Sequence, residues 1–97
     1  MRVEYHPEAV DDLNGATDRH NSRSAGLGEA LRVEVYGAIE RIIQNPQQHR
    51  VVENEIRRCF VHRFPYSVLF RVVGSDLVRV LAVRHHRQDQ QFGLQRK

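Results

Sequence analysis

The stretch from Ile56 to Asp89, IRRCFVHRFPYSVLFRVVGSDLVRVLAVRHHRQD, decides the fold of this chain. Apolar and polar residues alternate along it with a period of two, which is typical of half-buried β-strands. Pro65 interrupts the alternation, and Gly74-Ser75-Asp76 is a second break made of turn-forming residues. The stretch therefore predicts three strands joined by short turns as an antiparallel meander, at Ile56–Phe64, Tyr66–Val73 and Leu77–Arg84.

The residues before this stretch show helical periodicity. Pro7 follows a short first strand, Met1–Tyr5, and stands where a helix begins, so a first helix is predicted from Glu8 to Asn21. Gly15 lies inside this helix, and we expect it to permit close approach of the second helix. The second helix is predicted from Leu27 to Gln44, with its apolar stripe at Leu27, Leu31, Val35, Ala38 and Ile42.

The predicted order of elements is β-α-α-β-β-β. Asn45-Pro46 ends the second helix, and residues 47–54 are interpreted as a connecting loop. Two helices joined so briefly form an antiparallel hairpin, which can cover one face of the sheet. We predict one α+β domain over residues 1–97, in which residues 85–97 are a polar C-terminal extension, either docked or frayed.

The composition excludes several classes of protein. The chain has 97 residues, of which 40% are hydrophobic and 28% are charged, values typical of a globular domain. Its one cysteine, Cys59, cannot form an intramolecular disulfide and is interpreted as a small buried hydrophobe. No signal-peptide pattern or apolar run of membrane-spanning length is present, so we expect a cytoplasmic protein without a membrane partner.

The charge is divided unequally along the chain. Residues 1–55 carry six Arg and ten Asp or Glu, a balance of −4, whereas residues 56–97 carry nine Arg or Lys and two Asp, a balance of +7. An anionic partner is therefore expected to bind the C-terminal half. The alternative is a solvated sheet face that charge keeps soluble. The arginines that could share this face are Arg57, Arg58, Arg63, Arg71, Arg79 and Arg84.

The same residues carry a resemblance to a known family. The predicted order of elements, with Arg63-Phe64-Pro65-Tyr66, Phe70-Arg71-Val72 and Val80-Leu81-Ala82-Val83, resembles the RelE/ParE toxin superfamily over nearly the whole chain. The ending His85-x-Arg87-x-Asp89 is similar to the His-Arg-Asp ending of the ParE branch. The resemblance implies a bacterial growth-inhibiting toxin of a type II toxin-antitoxin system, neutralised by a cognate antitoxin in a hetero-oligomer.

The superfamily implies two modes of action. RelE-like toxins cleave messenger RNA in the ribosomal A site, whereas ParE-like toxins bind DNA gyrase and are not hydrolases. In this chain Ser67 stands where the RelE branch carries a catalytic arginine, and Phe92 stands where that branch carries a catalytic tyrosine. The sequence therefore favours the gyrase-binding mode and no catalytic activity. If the protein is instead a ribosome-dependent endonuclease, its catalytic residues are expected to be Arg84, His86 and Arg87.

A third alternative is a decayed member that has lost toxicity but still binds its antitoxin. Binding of the target or of the antitoxin is assigned to Arg57, Arg63, Arg71, Arg84, His85, Arg87 and Asp89, with an acidic antitoxin segment expected near Arg63, Arg71 and Arg84. No cofactor is predicted. No metal site is predicted either, because four of the six histidines are scattered and the adjacent pair, His85 and His86, would point to opposite faces of a strand.

Overall fold

Strand β1 (Arg2–Tyr5) leads directly into helix α1 (Pro7–Arg23) in the computed structural model, which describes residues 1–97. Pro7 occupies the first helical position, where its missing N–H costs nothing. His6 caps the helix, since its ring Nδ1 accepts a hydrogen bond from the Glu8 N–H at 3.1 Å. The buried side of α1 contains three apolar and two polar residues: Ala9, Leu13, Ala16, Thr17 and His20.

Helix α2 (Leu27–Gln44) returns antiparallel to α1, so the predicted helical hairpin is confirmed. The close approach of the two helices occurs at Gly28, where a Cβ atom would lie 2.7 Å from Asn21 Cγ. The expectation for Gly15 was wrong, because a Cβ atom there would meet only the end of the flexible Arg19 side chain. Neither helix is long and apolar enough to cross a membrane.

Four further strands follow α2: β2 (Arg50–Glu53), β3 (Ile56–Phe60), β4 (Tyr66–Val73) and β5 (Leu77–His85). They form one sheet with β1 in the order β1-β5-β4-β3-β2. The pairs β3–β4 and β4–β5 are antiparallel, as the meander predicted. β1, however, pairs parallel with β5, so the sheet is mixed. The helical hairpin carries the chain away from β1, which leaves β1 free to satisfy the outer edge of β5.

The segment predicted as a loop contains a 3₁₀ turn at Pro46–Gln48 and the edge strand β2. β2 has four residues, of which only Val52 is partly buried, so alternation is too short to be visible in the sequence. β3 also ends earlier than predicted, at Phe60. Arg63 adopts a left-handed conformation with φ of 72°, which a continuing strand cannot accommodate.

The face of the sheet under the helices, called here the helix face, holds the main core. Phe70, Leu31 and Ile42 are its largest fully buried side chains. Cys59 belongs to this core and is 5% exposed. Burial raises the pKa of the Cys59 thiol, an effect that nearby Arg41 partly opposes. Cys59 therefore behaves as the neutral buried hydrophobe that was predicted.

The opposite face of the sheet, called here the back face, is covered by residues 86–97, the C-terminal tail. Phe92 and Leu94 pack against a cluster formed by Ile56, Leu69, Leu81 and Ala82. Leu81 stands at a β-bulge, where two residues of β5 face one of β4. The predicted extension is therefore docked on the sheet rather than frayed.

Two tail residues explain the docking. Gly93 has φ of +84°, and a Cβ atom there would lie 2.6 Å from Ala82 Cβ, so only glycine fits this approach to the sheet. Arg96 is 7% exposed, and its guanidinium lies 2.6 Å from the Asp12 carboxylate of α1. Arg96 also donates a hydrogen bond to the Leu81 carbonyl at 3.0 Å. The tail is thus tied to both the sheet and the first helix.

Candidate functional site

An open groove of about 540 Å³ runs between the β2 edge and the tail on the back face. Its lining is mostly polar, and the residues with distinctive chemistry are Arg58, Phe60, Ser67, Arg84 and His86. β3 supplies Arg58 and Phe60, β4 supplies Ser67, β5 supplies Arg84, and His86 follows directly after β5. The pairing of Ser67 with Arg84 across β4 and β5 brings these side chains to one place.

Three arginines, Arg50, Arg58 and Arg84, line the groove beside one carboxylate, Glu53. The Arg58 guanidinium lies 4.6 Å from the centroid of the Phe60 ring, a cation–π contact, and Phe60 is 53% exposed. Arg84 donates a hydrogen bond to the Gln90 carbonyl at 2.7 Å. Burial and then the charge of Arg58 lower the pKa of Arg84, although an arginine remains cationic at neutral pH. The groove therefore presents a net positive charge beside an exposed aromatic face.

His86 is the one histidine that lines the groove. Its Nε2 lies 3.1 Å from Ser67 Oγ, and its ring meets Phe60 edge to face with 5.3 Å between centroids. Ser67 is 2% exposed and so lies beneath the imidazole. The arrangement could bind a phosphate and move a proton, which are two of the requirements for RNA cleavage.

Arg87, the third residue predicted for a ribonuclease, lies elsewhere. Arg87 and His85 line a separate pocket of about 450 Å³ at the C-terminal end of α1, here called the basic corner. Arg19, His20, Arg23, Pro65, Tyr66 and Gln88 complete its lining. The structure therefore brings Arg84 and His86 together in the groove and places Arg87, in the turn after β5, in the adjoining corner, with Gln88 lining both.

His85 is held in one orientation within the basic corner. Its ring meets Tyr66 edge to face at 4.9 Å, and its Nδ1 accepts a hydrogen bond from the Arg87 N–H at 2.9 Å. Burial is the first cause that lowers the pKa of His85, followed by the nearby charges of Arg87, His86, His20 and Arg19. His85 is therefore neutral at physiological pH, with its proton on Nε2.

Two other predicted arginines have local contacts. Arg57 lies on the helix face opposite Phe70 and donates hydrogen bonds to the carbonyls of Gln47 and His49. It closes the 3₁₀ turn and so does not belong to the arginine face that was expected. Arg63 is exposed in the β3–β4 loop, with its guanidinium 5.2 Å from the Phe64 ring.

The last two predicted binding residues are Arg71, which contacts the tail, and Asp89, which belongs to it. Arg71 donates a hydrogen bond to the Lys97 carbonyl at 3.4 Å. Asp89 accepts a hydrogen bond from the Gln91 N–H at 2.7 Å, so its carboxylate shapes a turn. The tail packs on Leu69, which lies between Ser67 and Arg71 on the back face, and therefore separates Arg71 from the groove.

Arg58 and Phe60 were not predicted as site residues from the sequence. Both belong to β3 and face the groove, but the predicted strand was too long and its register with β4 was unknown. The three-residue combination of arginine, aromatic ring and histidine becomes visible only when β3 and β5 are placed around β4. No group of three or more His, Cys, Asp or Glu side chains forms a possible metal site.

Comparison with known proteins identifies the family. A family model described as the ParE toxin of the type II toxin-antitoxin system parDE matches residues 3–90. The chain belongs to the ParE toxin family. The ParE match includes both helices, all five strands and the His85-x-Arg87-x-Asp89 ending, so the resemblance seen in the sequence is confirmed on the ParE branch.

The fold is also that of a solved ParE-containing structure. A chain of the chromosomal ParDE toxin-antitoxin system from P. aeruginosa superposes with a TM-score of 0.73 at 20% identity. The match covers 88% of this chain and 95% of that chain. At this identity the likeness shows the shared fold. No curated protein matched the sequence.

Proposed function

We propose that this ParE-family protein is a growth-inhibiting toxin that acts by binding DNA gyrase, without cleaving a substrate. The observation that carries the proposal is the ParE family match over residues 3–90. The geometry of the groove supports it, because the expected ribonuclease set is divided. Arg84 and His86 lie in the groove, whereas Arg87 lies in the basic corner.

The position of Phe92 supports the same proposal. Cleavage of RNA needs a base for the 2′-hydroxyl, cations for the phosphorane and a proton donor for the leaving oxygen. Phe92 packs against the back-face cluster and lies 4.8 Å from the Arg96 guanidinium, so it contributes no hydroxyl to the groove. The groove offers one imidazole for two proton-transfer roles.

The experiment is a supercoiling assay with purified gyrase, relaxed plasmid and the purified toxin. We expect supercoiling to fall with toxin concentration in the range that stops growth. Addition of the cognate antitoxin should restore supercoiling. Full gyrase activity at toxin concentrations that arrest cells would refute this target, and normal growth on induction without antitoxin would favour the decayed alternative.

A second candidate function is ribosome-dependent cleavage of messenger RNA, favoured by the cluster of Arg58, Arg84 and His86. Removal of a positioned acid or base typically slows such a reaction by about 10²- to 10⁴-fold. Under this candidate His86→Ala should abolish new 5′ ends in primer extension on translated message, with growth restored. The absence of any new ends after induction of the wild-type toxin would exclude it.

We also propose that a cognate antitoxin neutralises the toxin in the cytoplasm by placing an acidic segment in the groove beside Arg84. β2 supports this placement, because it is a sheet edge with Val51 44% exposed, and an extended peptide can add to such an edge. Arg84→Glu should raise the antitoxin dissociation rate and flatten its salt dependence. Unchanged dissociation would place the antitoxin elsewhere.

A further inference from the structure

The basic corner contains a concentration of positive charge that no acidic side chain of the protein neutralises. Arg19, Arg23 and Arg87 line it, and no carboxylate belongs to its lining. None of the three arginines forms a salt bridge, whereas Arg79 and Arg96 each have a carboxylate partner. All three are exposed. Like charges held together in this way are unfavourable unless an anion binds between them.

The spacing of the arginines fits a series of phosphates. Arg19 and Arg23 are four residues apart on α1 and therefore project from the same face, about 5–6 Å apart at Cβ. Arg87, two residues after the end of β5, lines the same pocket. A guanidinium makes paired hydrogen bonds with phosphate oxygens, so three of them suit neighbouring phosphates better than a single small anion.

The aromatic rings of the corner indicate whether a nucleic acid would bind there through its bases or through its backbone. Tyr66 is 3% exposed and is enclosed by the rings of His20 and His85, at centroid distances of 5.8 and 4.9 Å. It offers no free ring face on which an unpaired base could stack. In this respect the corner differs from the groove, where the Phe60 ring is exposed. The corner is therefore suited to a backbone and not to bases.

We propose that the basic corner binds the phosphate backbone of duplex DNA through Arg19, Arg23 and Arg87. Contact is independent of sequence, because phosphates carry no base identity. The Nε2–H of neutral His85 supplies a further donor to a phosphate oxygen. This site is separate from the groove and does not depend on which target the toxin inhibits.

The binding assay uses the full-length toxin without antitoxin and a short mixed-sequence duplex carrying a fluorescent label. Three neutralised phosphates predict a slope of about −2.7 for the logarithm of the association constant against the logarithm of salt concentration. Between about 50 and 200 mM salt, affinity should fall about 40-fold. Arg19→Gln, Arg23→Gln and Arg87→Gln should each weaken binding and reduce the slope by about one.

Arg2→Gln is the matched control, because it also removes one exposed positive charge, on β1, away from the corner. It should leave the slope unchanged, and each variant should keep the wild-type unfolding temperature. An equal change in slope for Arg2→Gln, or for Arg58→Gln in the groove, would overturn the proposal in favour of diffuse charge or of the groove.

Two further arms distinguish the source of the phosphate. Single-stranded DNA should bind more weakly than the duplex, and inorganic tripolyphosphate should compete only at much higher concentration. Preference for the single strand, or one-to-one competition by tripolyphosphate at micromolar concentration, would overturn the duplex assignment. The DNA-binding assay contains no gyrase. A failure to bind DNA would therefore leave the proposed inhibition of gyrase unaffected.

Discussion

The two faces of the sheet are built differently. A cluster of sixteen buried residues packs between the helix face and the two helices, whereas four buried residues of the back face lie beneath a short tail. The first has few charged groups, and the second carries the groove with its arginines and histidine. The fold therefore depends mainly on the core of the helix face, and the back face can carry exposed charged and titratable side chains.

The strongest test of this comparison replaces one phenylalanine on each face. Phe70 is fully buried on the helix face, and Phe60 is 53% exposed on the back face. Phe70→Ala should lower the free energy of unfolding by about 3–5 kcal/mol, because it leaves a cavity in the main core. Phe60→Ala should change it by less than about 0.5 kcal/mol. Equal losses in urea unfolding would mean that the faces are not energetically distinct.

The second-largest loss of unfolding free energy is expected from breaking the ion pair between Arg96 and Asp12, which holds the tail. Arg96→Ala leaves the Asp12 carboxylate, which is 12% exposed, without its cation. Breaking such a buried pair should cost about 3 kcal/mol in unfolding free energy. The control is Arg2→Ala, which breaks an exposed pair with Asp76 and should cost about 0–1 kcal/mol. A small loss for Arg96→Ala would show that the tail adds little to the back face.

Two glycines with positive φ separate backbone strain from collision. Gly74 and Gly93 have φ of +63° and +84°, but only at Gly93 would a Cβ atom meet a neighbour, Ala82. Gly74→Ala should lower the unfolding free energy by about 1 kcal/mol through backbone conformation alone. Gly93→Ala should lower it further and expose Leu69 to solvent, detected as increased binding of a hydrophobic dye. Equal losses of unfolding free energy for the two variants would contradict the close contact between the tail and the sheet.

The smallest effect concerns pH and the basic corner. The lowered pKa of His85 means that the folded state disfavours its protonated form. Its contribution to stability is present above the unfolded pKa of about 6.5 and is lost as pH falls through the lower folded value. Between pH 7.5 and 5.5 the wild type should therefore lose more thermal stability than His85→Gln. A parallel decline of the two melting temperatures would contradict this assignment.

The elements with many residues of one period were predictable from the sequence. The stripe at Leu31, Val35, Ala38 and Ile42 gave α2, and the alternation after Pro65 gave β4 and nearly all of β5. β2 was not predictable, because hydrogen bonds to β3 define it and its side chains are mostly exposed. The parallel pairing of β1 with β5 joins residues more than seventy positions apart, which no local pattern reveals.

The site was predictable only in part. The placement of His85 and His86 on opposite sides followed from strand geometry and is confirmed by their separate pockets. By the same alternation, Arg87 would be expected on the side opposite Arg84 and His86. It could therefore have been left out of the expected catalytic set. Arg57 was one of the arginines that could share the charged face, but its strand partner Phe70 belongs to the main core, so Arg57 lies on the helix face. That Arg58 faces the groove could not be predicted without the register between β3 and β4.

The pairing of β1 with β5 has a consequence for how the toxin is made. Arg2 pairs with Leu77, and Asp12 binds Arg96, so β1 and α1 leave the ribosome well before the residues that they bind. The helical hairpin can form meanwhile, but its apolar side has no sheet to cover it. At about 5–20 residues per second, this interval lasts several seconds. The sheet is therefore completed only after β5 has left the ribosome, and until then the apolar side of the hairpin stays exposed.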